Sequence, residues 1–102
     1  MIDSERTLHV GDTDDVWARI TERYAVDQTS VGLSLRVVAP DGTVGSWAAP
    51  QSRDDTNAAQ GVVRASLRWT AVDLGRHTVQ ARLTPPGRTV ILTVGTFNVI
   101  EP

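Results

Sequence analysis

The stretch Gly61-Val62-Val63-Arg64-Ala65-Ser66-Leu67-Arg68-Trp69-Thr70 decides the fold. Val63, Ala65, Leu67 and Trp69 alternate with Arg64, Ser66, Arg68 and Thr70. A period of two places one set on each face of a β-strand, whereas a helix would scatter both sets around its axis. The apolar set is expected to face a core and the polar set to point outward. One wet face and one dry face is the pattern of an antiparallel sheet.

The same period continues on both sides. Beyond the turn signal Asp73-Leu74-Gly75, Val79, Ala81 and Leu83 alternate with Gln80, Arg82 and Thr84, and Pro85-Pro86-Gly87 closes a hairpin. In the last segment Val90, Leu92 and Val94 hold even positions, but Phe97 and Val99 hold odd ones. A parity switch across Gly95 predicts a β-bulge or a strand that crosses between sheets. Before residue 61, the run 48–60 (AAPQSRDDTNAAQ) is polar and unpatterned and is expected to be a loop. Upstream, Val31, Leu33, Leu35 and Val37 alternate and lead into Pro40-Asp41-Gly42. Pro presets φ, Asp bonds nearby backbone and Gly accepts positive φ, so a turn with a return strand at 43–47 is predicted. Val16, Ala18 and Ile20 alternate with Trp17, Arg19 and Thr21, after an opening strand at 7–10 and a turn at Gly11-Asp12-Thr13. Residues 21–28 have room for one helical turn. Six to eight short strands with turn signals between them predict an all-β fold, an immunoglobulin-like antiparallel sandwich of about seven strands. Residues 1–6 form an N-terminal arm and residues 7–102 a single domain.

Composition bounds the function. The 102 residues carry a formal net charge of −2, so no electrostatic footprint for nucleic acid or an anionic membrane is present. No apolar run approaches the roughly 18 residues of a membrane span, and the polar start Met1–Arg6 is unlike a signal peptide. Cys is absent, which excludes disulfides and thiolate chemistry. All ten basic residues are Arg. Every cation is therefore a planar fork suited to bidentate pairing and to interfaces.

Several of these features resemble a known group of proteins. Gly11-Asp12-Thr13 before an alternating strand, Ser34-Leu35-Arg36-Val37 running into Pro40-Asp41-Gly42-Thr43-Val44, Gly61-Val62-Val63 leading to Trp69-Thr70-Ala71, Asp73-Leu74-Gly75 and the closing Gly95-Thr96-Phe97-Asn98-Val99 carry the likeness. The pattern is similar to the N-terminal domain of phage baseplate upper proteins and to related accessory modules of actinobacterial tailed phages. The resemblance spans roughly residues 7–101. It implies a structural protein of a bacteriophage virion, made in the bacterial host cytoplasm, that docks on capsid, neck or tail subunits or on copies of itself. The strand after Gly75 has Val79 where that group usually has an aromatic residue, and the receptor-binding segment that follows the domain in that group is not expected here. A decoration or tail-accessory role is therefore expected ahead of a baseplate or receptor-binding one.

No residue set points to catalysis, a cofactor or a dedicated metal site. His9 and His77 are the only histidines. Without Cys, a zinc site would need both plus carboxylates, so surface or edge roles are expected for them. Asp12, Asp14 and Asp15 resemble part of a calcium loop, but calcium takes six to eight oxygens and the rest of that pattern is missing. They are weak cation candidates, and a solvated turn is the expected role. The interface candidates are Trp17, Arg19, Trp47, Arg36, Arg64 and Arg68. Outward Trp beside Arg is the composition of interface anchors. Trp69, with inward parity, is expected in the core. Two other readings stand beside the virion module: a carbohydrate-binding module stacking sugars on Trp17 and Trp47, and an adhesion or enzyme-associated domain.

Overall fold

The computed structural model describes residues 6–21 and 31–102. Seven strands form two sheets: β1 (Arg6–His9), β2 (Thr13–Thr21), β3 (Gly32–Val38), β4 (Ser52–Asp54), β5 (Val62–Thr70), β6 (Gly75–Thr84) and β7 (Val90–Ile100). One sheet runs β1-β7-β6-β3 and the other β2-β5-β4. All ladders are antiparallel except β1 on β7. The expected helical turn at 21–28 falls almost wholly outside the described residues, and Thr21 itself closes β2.

The core is what the alternation requires. Val16, Ala18 and Ile20 of β2 face Val63, Ala65 and Leu67 of β5, and this layer packs on Leu33, Leu35 and Val37 of β3 with Val79, Ala81 and Leu83 of β6. Each of the larger side chains contributes roughly 1.5–3 kcal/mol by leaving water. The register pairs Val16 with Leu67 and Ile20 with Val63. A slip of one residue would turn every one of these outward, so the pattern fixes the pairing.

The parity switch in the last strand is a bulge. Val79 of β6 faces Gly95 and Gln80 faces Thr93, which leaves Val94 as the extra residue. Val94 is buried on one side of the bulge, and Phe97 and Val99 are buried on the other. One unpaired residue thus resets the inward phase midway along an eleven-residue strand.

The region 39–61 is more ordered than its composition implies. Ala39 and Thr43 close a three-residue hairpin loop, with Gly42 at φ 89° in the left-handed position such loops require. The return segment does not form the continuous strand expected at 43–47. It meets β3 only at the isolated bridges Val38–Val44 and Leu35–Ala48. The chain then leaves this sheet and joins the other. The expected loop at 48–60 contains β4 and a single 3-10 turn, Ala58–Gln60. β4 forms because the backbone of Ser66 is still unpaired on that side: Gln51 N–H donates to the Ser66 carbonyl at 2.8 Å and Ser52 N–H to its hydroxyl at 3.1 Å. A three-residue edge strand has no buried stripe to advertise it. Ala58, fully buried, pins the 3-10 turn to the core.

Candidate docking faces

The interface candidates separate onto two opposite faces. On the outer side of β2-β5-β4, Trp17 is half-buried and the Arg64 guanidinium lies over its ring at 5.3 Å. Arg19 and Arg64 are direct cross-strand partners, with Asp54 opposite Arg64 on the far side. Two guanidinium groups placed face to face repel, and Asp54 offsets that charge. Its carboxyl is held below the usual carboxylate range by the Thr56 hydroxyl and backbone N–H, with Arg64 adding to the effect. Arg68 pairs with Asp15 at 3.1 Å at the other end of this face. A shallow depression of about 380 Å³ is lined by Arg19, Asp54, Asn57, Gln60, Val62 and Arg64.

Trp47 and Arg36 belong to the other face. Trp47 stands beside the edge of β3 and folds over the outer surface of β1-β7-β6-β3. There the Arg36 guanidinium lies 4.1 Å from its ring centre and that of Arg82 lies 4.8 Å away. Arg36 also donates from Nε to Gln80 Oε1 at 2.8 Å. Arg82 has outward parity in the sequence, but its meeting with Trp47 depends on the path of residues 43–48 and has no local signal. Two half-buried guanidinium–indole contacts of this kind contribute roughly 0.5–2 kcal/mol each.

The aspartates of the first turn do not converge. Asp12 accepts the His9 backbone N–H at 2.9 Å, Asp14 pairs with Arg6 across the two sheets, and Asp15 pairs with Arg68. Among the described residues, no three His, Cys, Asp or Glu side chains are placed to hold a metal ion. Asp12 bonds the backbone of its own turn, whereas Asp14 and Asp15 find partners on other strands that the sequence spacing does not reveal.

His77 corrects an expectation. Beside a turn it read as a surface residue, yet it is 1% exposed. It shares the odd parity of Val79, which outweighs its polarity. Its ring stacks on Phe97 at 5.1 Å, with Nδ1 3.1 Å from the Gly75 carbonyl. Trp69 closes the cluster edge-on, 6.0 Å from His77 and 6.3 Å from Phe97. Trp69 faces inward as expected, but its buried Nε1–H has no acceptor among the described residues. His9 is exposed, with Nδ1 3.5 Å from Asp12. Ser66, outward by parity, is nevertheless fully buried on the central strand between β2 and β4.

No known family profile matches the chain, and no curated protein matches its sequence. Among solved structures, the chain is similar to the filamin domain of Lin-41 at a TM-score of 0.52 and 14% identity, over 98% of this chain and 88% of that one. The likeness is one of fold: the chain is a small immunoglobulin-like β-sandwich.

Proposed function

We propose that this chain is a non-catalytic docking module of a bacteriophage particle, attached to capsid, neck or tail subunits. The observation that carries the docking part is the pair of Trp–Arg contacts on opposite outer faces, Trp17 with Arg64 and Trp47 with Arg36 and Arg82. Half-buried indoles held by guanidinium groups are preorganised anchors, because little side-chain freedom remains to be lost on binding. The interior between the sheets is filled by side chains, so recognition falls to the surface. The virion as the place of docking is supported by the resemblance of the turn and strand motifs to phage accessory domains. Stacking of a sugar on either indole would have to displace a guanidinium, which ranks the carbohydrate-binding reading second.

The test is mass spectrometry of purified phage particles from cells expressing the chain. A fixed copy number per particle is expected. Trp17→Ala should leave the melting curve of the isolated domain near that of the parent and lower incorporation. Absence of the parent chain from particles, together with retention on a polysaccharide column, would overturn the proposal in favour of carbohydrate binding.

A further inference from the structure

The two faces differ in charge. The outer face of β2-β5-β4 carries Arg19, Arg64 and Arg68 together with Asp15 and Asp54, so its cations are compensated in place. The outward positions of β1-β7-β6-β3 are different. By the register, their ionisable residues are His9 of β1, Arg36 of β3 and Arg76 and Arg82 of β6. Three are Arg and none is Asp or Glu, in a chain whose formal net charge is −2. Arg82 is half-buried and makes no hydrogen bond or ion pair among the described residues; its contact is the Trp47 ring. Arg36 uses Nε on Gln80, and its terminal nitrogens make no hydrogen bond among those residues. A guanidinium is a planar fork that bonds a carboxylate through two parallel N–H groups. Here two such forks are stacked on one indole and held in place.

We propose that this face receives an extended, carboxylate-rich segment of a partner protein, gripped by Arg36 and Arg82 around Trp47. The proposal rests on the docking reading above and gives, for one of its two faces, the chemistry of the partner. Spacing supports it. Arg36 is paired with Gln80, so Arg36 and Arg82 are diagonal neighbours on adjacent strands, separated by roughly 7–8 Å. Alternate side chains of an extended peptide repeat every ~6.6 Å, so an acidic residue at every second position meets both forks. A long polyanion such as nucleic acid fits less well. Its charge would run past this patch onto Asp12, Asp41, Asp73 and Glu101 in the turns and tail at one end of the sandwich.

The test uses the isotope-labelled chain and a decapeptide of alternating Glu and Ser, followed by backbone and indole amide shifts. The expected result is movement of the Trp47 indole and the Gln80 amide. Arg82→Gln should weaken binding roughly tenfold, a loss in line with that of one charge-assisted hydrogen bond, and Arg88→Gln, an exposed residue between β6 and β7, should leave it within twofold. Arg36→Gln serves as the second variant should Arg82→Gln lose its fold. The proposal falls if the matched Gln–Ser peptide gives the same shifts, if the shifts map to Trp17 and Arg64, or if oligothymidylate binds this face more tightly than the acidic peptide. Particle incorporation separates this proposal from the docking reading. Full incorporation of an Arg36→Gln, Arg82→Gln chain overturns this face while docking stands, whereas absence of the parent chain from particles overturns both.

Discussion

Gly75 opens β6 at φ 118°, a region that side chains with a Cβ rarely enter, and it abuts the ring of Pro40 in the neighbouring turn. A Cβ built there would lie 2.9 Å from Pro40 Cγ and 3.2 Å from its Cβ. Two costs therefore act on Gly75→Ala. The backbone conformation costs about 1–3 kcal/mol, and forcing a methyl against a rigid ring costs about 1–3 kcal/mol more. The loss of unfolded-state freedom on replacing Gly returns about 0.4–1 kcal/mol. The net expectation is a loss of about 3 kcal/mol. At about 4–8 °C per kcal/mol for a domain near this size, the melting temperature should fall by about 15 °C. Calorimetry or a urea titration measures it, and a double-mutant cycle divides it. Removing the ring with Pro40→Ala in the Gly75→Ala background should recover about 1–2 kcal/mol beyond additivity, since the steric part disappears and the backbone part stays. A loss below about 1 kcal/mol for Gly75→Ala, or a cycle with no coupling, would refute the reasoning.

Leu35 is fully buried in β3, and Leu35→Ala should cost about 2–5 kcal/mol in urea unfolding; a change under about 1 kcal/mol would mean the sheets collapse onto the gap. Trp69→Phe removes a buried indole N–H that has no acceptor among the described residues, so relief of about 1–3 kcal/mol offsets the lost ring area and stability should stay within about 1 kcal/mol of the parent. A loss well beyond that would show that the N–H is satisfied. Asp41 is held below the usual carboxylate range by the backbone and hydroxyl of Thr43, and Asp54 by Thr56 and Arg64. Depressed carboxylates stabilise the fold above their unfolded values near pH 4 and cease to do so as pH falls through the folded values. An Asp41→Asn, Asp54→Asn chain should therefore show a shallower loss of stability than the parent between about pH 5 and pH 3, and equal slopes would count against this account.

The parts of the fold legible in the sequence were those with a face to bury. The alternation around residues 16–20, 33–37, 63–69 and 79–83 located four strands and their inward sides, because one register alone keeps those side chains dry. The parity change near Gly95 located the bulge for the same reason. β4 leaves no sequence signal because an edge strand of three polar residues buries nothing periodic; it is held by the backbone and hydroxyl of Ser66, a long-range contact. His77 departs from its expected surface place because its phase, shared with Val79, outweighs its polarity. At the candidate docking faces, parity places Trp17, Arg19, Arg36, Arg64 and Arg68 outward, but it cannot assign Trp47 to a sheet. That depends on residues 43–48, which lie beside β3 through two bridges with no repeating pattern.

The parallel pairing of β1 with β7 has a mechanical consequence. Arg6 lies beside Phe97 and His9 beside Ile100, so β1 runs in the same direction as β7 over its last four residues. Traction applied through the two termini pulls these neighbouring strands past each other lengthwise. The interstrand bonds between them then carry the load together and must yield as a group, where a terminal hairpin would peel open one bond at a time. A tether strung through this domain would be held by a shear clamp at the seam between β1 and β7.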